Sequence, residues 1–391
     1  MLSVAVEGFA DAILAAEKII RDAPHVRTER DLAEGLDYLG GSIRAALASS
    51  WGYERDFPYF VRSATPYTKV GLDNPDTLYF SARIRDDAEY VVTGRRGATA
   101  DLSFQILAGD YTPAVVPDSL NAFDDRAFDI AADGSFELRF GPARPDAGRN
   151  YFALGPGAAM LLVREVWSDW TSVPGTIAIR RLDRSGAAPP PVDEARLAKR
   201  FDAAGRTLMA QLSTFLRFPE RFYLTLPVNT MTPPRLTPGG LATQYSSAGH
   251  YELTPDEALI VTVPASDAPY QGFQLGTMWY VSMDFANHQT SLTAHQARHA
   301  PDGLLRFVVC ERDPGLANWV ETTGHPRGYL QIRWQRTSRE FTAADGPVVE
   351  KVPFDALPSV LPYYSDARVT PDEWRARIAA RQAAVANRML G

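Results

Sequence analysis

From Thr77 onward the apolar residues of this chain recur at every second position, and that period decides most of what the chain can become. Leu78-Tyr79-Phe80-Ser81-Ala82-Arg83-Ile84, Tyr90-Val91-Val92-Thr93 and Leu102-Ser103-Phe104-Gln105-Ile106-Leu107 read as strands, whose side chains alternate between two faces. Arg85-Asp86-Asp87 and Gly94-Arg95-Arg96-Gly97 supply turns between them. Residues 136–140, 159–166 and 176–179 continue the pattern, and 259–263, 272–283, 304–310 and 329–334 repeat it later. These strands do not alternate with helices, which argues against a doubly wound parallel sheet. An antiparallel sandwich is expected instead.

Helices frame the two β-rich blocks. Leu2, Val6, Phe9, Ile13, Ala16 and Ile20 recur at helical spacing. Thr28 with Asp31 opens a second helix whose stripe is Leu32, Leu36, Leu39, Ile43 and Leu47, with Gly40-Gly41 as its weak point. An aromatic, aperiodic stretch follows, with Trp51, Tyr53, Phe57, Tyr59, Phe60 and Tyr67. Ala187-Ala188-Pro189-Pro190-Pro191 is a stiff linker, and the helix after it buries Leu197, Phe201, Ala204, Leu208, Leu212 and Phe215. Residues 227–240 read as a loop. Thr370-Pro371-Asp372-Glu373 caps a last helix that turns Trp374, Ile378, Val385 and Met389 inward.

The expected fold is therefore α+β: an antiparallel β-sandwich-like core of one or two sheets, with N-terminal, central and C-terminal helices. Five segments follow from it. They are an N-terminal helical segment 1–52, a β-rich block 53–186, a linker, helix and loop 187–240, a second β-rich block 241–345, and a helical tail 346–391.

Composition removes whole classes of function. With 45% hydrophobic and 22% charged residues the chain can build a core, so it is not a disordered protein. No run reaches the roughly 18 apolar residues of a spanning helix, and Glu7, Asp11 and Glu17 interrupt any signal-peptide pattern. A cytoplasmic protein without a membrane partner is expected. The net charge of −7 argues against a nucleic-acid partner. Self-association as a homo-oligomer stays open. The single cysteine, Cys310, lies in an apolar strand and reads as a core residue. Lysine occurs only at Lys18, Lys69, Lys199 and Lys351, so 36 of the 40 basic residues are arginine. A G+C-rich genome explains such a bias; the sharper reading is that some arginines grip anionic or aromatic groups through their planar fork.

Several chemistries lack their motif. There is no phosphate loop, no Gly-x-Gly-x-x-Gly after a strand and no Gly-x-Ser-x-Gly, so no nucleotide cofactor or nucleophile elbow is expected. His295 and His299 would share a helix face, with His288 nearby, but the intervening Glu of a metalloprotease is missing and Pro301-Asp302-Gly303 makes a turn. No cofactor and no metal are assigned.

Three stretches look functional. Asp73-Asn74-Pro75-Asp76 precedes Tyr79 and Arg83, and its plain reading is a turn entering a strand. In Trp279-Tyr280-Val281-Ser282-Met283-Asp284, a strand would put Tyr280, Ser282 and Asp284 on one face; His288 follows. Asp313-Pro314-Gly315 with Asn318-Trp319 leads through Gly324-His325 to Arg333-Trp334. This third stretch resembles the C-terminal signature of a bacterial domain-of-unknown-function family, the 1214 type, and the two earlier stretches are similar to segments of related chains. The resemblance covers mainly residues 260–335 and implies a β-rich fold. It carries over no catalytic residue.

Tyr, His, Asp and Arg without nucleotide, metal or thiol point to proton transfer. The leading expectation is a cofactor-independent lyase that breaks a carbon–carbon bond in a small phenolic, lignin-derived aromatic and releases formaldehyde or carbon dioxide. Tyr79 and Tyr280 are the acid/base candidates and His288 or His325 the proton acceptor. Arg83 and Arg333 are candidate anion clamps, and Trp279, Asp284, Asp313, Asn318 and Trp319 complete the substrate-binding set. Convergence of Tyr79, Tyr280, His325 and Arg333 on one pocket is the sharpest form of this expectation. Two alternatives are a non-catalytic binding protein for a sugar or hydrophobic metabolite and a hydrolase pairing Asp284 with Asp313.

Overall fold

The computed structural model describes residues 2–52, 54–109, 117–236 and 244–389. Tyr53, the side chains of Leu2 and Met389, and the end of the 227–240 loop lie outside the described residues. Two helices come first, α1 (Leu2–Arg21) and α2 (Glu29–Gly52). Nine strands follow: β1 (Val61–Ala64), β2 (Thr77–Arg83), β3 (Tyr90–Arg95), β4 (Asp101–Ala108), β5 (Ser119–Asp124), β6 (Ser135–Gly141), β7 (Tyr151–Ala153), β8 (Ala158–Val166) and β9 (Thr176–Arg181). Helix α3 (Glu194–Phe222) leads to β10 (Thr230–Met231), β11 (Arg235–Leu236), β12 (Gln244–Glu252), β13 (Glu257–Pro264) and β14 (Tyr270–Gly276). Then come β15 (Ser291–Thr293), β16 (Leu304–Cys310), β17 (Trp319–Glu321), β18 (Arg327–Gln335) and β19 (Val348–Pro353), with α4 (Leu357–Val360) and α5 (Pro371–Met389) closing the chain.

The protein is α+β, and its described residues form two compact units. The first holds residues 1–71, 78–165 and 173–217; the second holds Leu72–Thr77, Val166–Ser172 and everything from Phe218 onward. Each unit carries its own pair of sheets. In the first they run β1-β2-β8-β4-β5 and β7-β6-β3-β9, and Phe104, Ile106, Leu161 and Val163 of one meet Tyr90, Val92, Leu138 and Phe140 of the other. In the second they run β10-β12-β18-β14-β15, with β11 also on β12, and β17-β16-β13-β19. There Phe273, Leu275, Ile332 and Trp334 pack on Val261, Val263, Leu305 and Phe307. Both are sandwiches, as the period of two requires.

The C-terminal elements cover the outer face of the four-stranded sheet of the second unit, where Cys310, Val308 and Ile260 meet Leu357, Leu361 and Trp374. Cys310 is a buried core residue there, and burial pushes its thiol up. Both capping boxes form. Asp31 N donates to Thr28 Oγ1 at 3.1 Å while Thr28 N donates to Asp31 Oδ2, and Thr370 and Glu373 make the same reciprocal pair at 3.2 and 2.7 Å. Gly40-Gly41 does not interrupt α2; a side chain at Gly41 would collide with the Tyr67 carbonyl.

Two local readings need correction. The strand expected over 272–283 stops at Gly276, and a turn follows in which Tyr280 takes φ 57°. Thr277 N donates to Val281 O at 2.9 Å and Tyr280 N to Thr277 O at 2.9 Å, so the chain folds back and Ser282 bridges to Gly276. Tyr280, Ser282 and Asp284 consequently do not share a strand face. Likewise His295 and His299 sit in turn and coil after β15, not on a helix. Thr293 and Gln296 make a reciprocal pair and Ala297 N donates to Thr293 O, but the turn goes no further, because Ala300 N donates to Leu304 O at 3.1 Å and the chain turns into β16.

Candidate functional site

The second unit contains a buried polar network assembled from every stretch singled out in the sequence. Its first part is the segment Asp73-Asn74-Pro75-Asp76, all of it buried. Asp73 accepts from Ser282 N at 2.9 Å and from Ser282 Oγ at 2.8 Å, and its carbonyl accepts from Gln274 Nε2 at 3.0 Å. Asn74 Oδ1 accepts from Asp76 N, the expected Asx turn, while Asn74 Nδ2 donates to the Tyr270 hydroxyl at 2.9 Å. Asp76 accepts from Trp170 Nε1 at 2.7 Å and from Tyr270 OH at 2.9 Å. Burial pushes the Asp76 carboxyl up, against the pull of those two bonds and of Arg388 and Arg381.

Helix α5 delivers those arginines. Arg381 donates to Phe285 O and Ser291 O and lies 4.5 Å from the Trp170 ring; burial pulls it down to about 10. Arg388 donates to Pro75 O at 2.7 Å and stacks 4.4 and 4.2 Å from the rings of Trp167 and Trp170. A guanidinium can be buried this way because its face meets an aromatic ring and its edge meets carbonyls.

The second part is built on β18 and the turn after β14. Arg333 donates to Gln274 Oε1, to Leu72 O at 2.7 Å and to Gln331 Oε1 at 3.2 Å. Gln331 Oε1 also accepts from Tyr223 OH at 2.6 Å, and Tyr280 OH donates to Tyr223 OH at 3.4 Å. Tyr329 packs edge-on against both Tyr223 and Tyr280, and Phe218 stacks on Tyr280 at 5.5 Å. Burial holds the phenols of Tyr223, Tyr280 and Tyr329 above their ordinary range, with Arg333 pulling the first two back. They are proton donors at neutral pH. The left-handed backbone of Tyr280 aims this hydroxyl, and a non-glycine residue held in that conformation is strained.

Other expected site residues have other surroundings. Tyr79 and Arg83 lie on β2 of the first unit. His288 Nδ1 meets Glu321 at 2.9 Å, and His325 Nδ1 is held between Thr322 O at 2.8 Å and Thr323 Oγ1 at 3.0 Å. Trp279 is buried in the turn beside Tyr280. Asp284 caps Ala286 and Asn287, and Asp313 caps Gly315; both are exposed turn carboxylates. Asn318 bridges Arg298 N and O, and Trp319 donates to Cys310 O and stacks on Trp374. Sequence reasoning missed Tyr223, Tyr270, Gln274, Gln331, Trp170, Arg381 and Arg388. The two amides on neighbouring strands carried a usable signal, since a glutamine at an inward position of a buried strand needs a partner. Among the described residues no three His, Cys, Asp or Glu side chains come together as a metal site, and no helix is long and apolar enough to cross a membrane.

No family model matches the chain, and no curated protein matches it. Among solved structures it is similar to the crystal structure of an uncharacterised protein from Burkholderia cenocepacia, with 29% identity over 91% of this chain and 100% of that one and a TM-score of 0.80. It also matches a protein from Vibrio parahaemolyticus, with 11% identity over 81% of this chain and 98% of that one and a TM-score of 0.47.

Proposed function

We propose that this chain is a cofactor-independent lyase for a small phenolic aromatic, cytoplasmic, and a member of the 1214-type family. The observation that supports this reading is the hydrogen-bonded run Tyr280–Tyr223–Gln331–Arg333, in which neutral phenols stand beside a buried guanidinium. Such donors suit an oxygen that gains charge during a reaction. In the chemistry envisaged, a para-phenol expels a benzylic leaving group to give a quinone methide. A base then takes the proton of the side-chain hydroxyl, the carbon–carbon bond breaks, and formaldehyde leaves. The bonding pair forms the alkene as the ring recovers its phenolate; a carboxylate in place of the hydroxymethyl group leaves as carbon dioxide. Tyr280, backed by Tyr223, would donate to that phenolate oxygen, and Arg333 would stabilise its charge. His288 and His325 have no part in this run.

The test is an assay of purified protein with a panel of phenolic dimers and no added cofactor. Release of formaldehyde or carbon dioxide together with a new alkene supports the reading, and silence across the panel sinks it. A second reading, a binding protein for a hydrophobic metabolite, draws support from the imidazoles: both are held by groups outside the tyrosine run. It requires that the same dimers bind without being changed.

A further inference from the structure

The phenol of Tyr280 depends on a backbone geometry that nothing in its own turn explains. Tyr280 takes φ 57° and Leu72 takes φ 50°, and both carry side chains that disfavour the left-handed region. The two are bonded to each other, since Leu72 N donates to Tyr280 O at 2.6 Å. Residues of this kind keep such a conformation only where their surroundings fix it from several sides. For Tyr280 those surroundings come from Leu72 and Asp73, and the Asp73 carboxylate reaches across 209 positions of sequence to do it.

The grip on the turn has two further parts. Ser282 N donates to Asp73 Oδ1 at 2.9 Å and Ser282 Oγ to Asp73 Oδ2 at 2.8 Å, which fixes the residue two places beyond Tyr280. The Leu72 side chain is buried over the base of the turn, where a side chain at Gly276 would strike its Cδ1. The same two residues also hold Arg333. Leu72 O accepts from Arg333 at 2.7 Å, and Asp73 O accepts at 3.0 Å from the Gln274 amide, whose oxygen accepts from Arg333. One dipeptide therefore sets both the phenol and the guanidinium of the proposed site. Most of its bonds run through the backbone; the Asp73 carboxylate is the part of the grip that substitution can remove while the peptide bonds stay in place.

We infer that Asp73 is a positioning residue for Tyr280: by holding Ser282 it keeps the turn in the conformation that brings the Tyr280 hydroxyl to Tyr223. Its consequence for turnover rests on the lyase reading, whereas its effect on the ring does not. The full chain labelled with carbon-13 at tyrosine Cζ reports the ring without substrate, the Tyr280 resonance being assigned by its loss in Tyr280→Phe. In the wild type that buried phenol should stay protonated through about pH 10.5. Asp73→Ala should shift the resonance and bring its ionisation down toward the ordinary phenol value of about 10, while tyrosines outside the cluster keep theirs. Asp73→Asn, whose amide can accept from Ser282 N and donate to Ser282 Oγ, should restore the wild-type behaviour. On a phenolic dimer that the wild type converts, Asp73→Ala should lower kcat about 10- to 100-fold with KM within about twofold, and Asp73→Asn should recover most of the loss. Ser282→Ala removes one of the two bonds; it should act in the same direction by a smaller factor and serves if Asp73→Ala does not fold. An unchanged Tyr280 resonance in the variant that folds, turnover indifferent to it, or Asp73→Asn as impaired as Asp73→Ala overturns the inference. If the wild type converts no dimer, the lyase reading fails, and the resonance still decides whether Asp73 sets the ring.

Discussion

Among the residues, the arginine bias has a specific consequence. Arg333, Arg381 and Arg388 are buried, and each uses both the edge and, on α5, the face of its guanidinium. A lysine ammonium lacks the planar fork that reaches the oxygens of Gln274, Leu72 and Gln331 together, so Arg333→Lys should cost about 1–3 kcal/mol through lost bonds to buried carbonyl oxygens, read as a lower urea midpoint with an unchanged slope. Arg333 was legible from its neighbours; Arg381 and Arg388 were not, because the same helix carries the exposed Arg375 and the half-buried Arg377 and nothing local marks the buried pair. Asp76 makes the second residue-level prediction. Its folded pKa lies above the unfolded one, so the stability it contributes is complete below the ordinary carboxylate pKa and is lost as pH rises through the folded value. Asp76→Asn keeps the Trp170 bond and removes the buried charge. It should equal or exceed the wild type in melting temperature at neutral pH, with the gap closing near pH 4; a variant clearly less stable at neutral pH would show that the charge is compensated.

Among the elements, legibility followed the strength of local signals. The caps at Thr28 and Thr370, the strand Leu304–Cys310 and the strands around Tyr90 and Leu102 all announce themselves in sequence. Strand β12 did not. Its Gln-Tyr-Ser-Ser-Ala-Gly-His-Tyr-Glu composition suggests a loop, yet it pairs with β18 over nine residues. The small residues are there because β10 passes close by: a side chain at Gly249 would strike the Thr230 carbonyl and the Met231 side chain. Gly249→Ala should therefore destabilise by about 1–3 kcal/mol, in line with overpacking, whereas Gly8→Ala, with open space around it, should be neutral or stabilising. Thr370→Ala should cost about 1 kcal/mol by uncapping α5, the helix that carries Arg381 and Arg388. Thermal melts of the three variants check all of this. The turn at Thr277–Tyr280 escaped sequence reading because its left-handed residue is a tyrosine, where local rules expect glycine or asparagine.

For the molecule as a whole, chain order and folded neighbourhood disagree. Leu72–Thr77 and Val166–Ser172 interrupt the sequence of the first unit and belong to the second, where Asp73, Asn74, Asp76 and Trp170 fill its polar centre. The Asp73-Asn74-Pro75-Asp76 segment stood out in the sequence, but as a turn at the mouth of a strand; its long-range partners Tyr270 and Ser282 are nearly two hundred or more positions away, beyond any local pattern. A fragment beginning at residue 218 should fail to unfold cooperatively, as followed by circular dichroism in urea, because Ser282, Gln274 and Tyr270 would lose their buried partners. The central claim concerns chemistry at Tyr280, and one comparison tests it most directly. With phenolic dimers and no cofactor, the wild type should release formaldehyde or carbon dioxide in step with alkene, and Tyr280→Phe should lower kcat about 100-fold or more while the melting temperature holds. Turnover by the wild type that survives unchanged in Tyr280→Phe, or no turnover on any dimer, would contradict it.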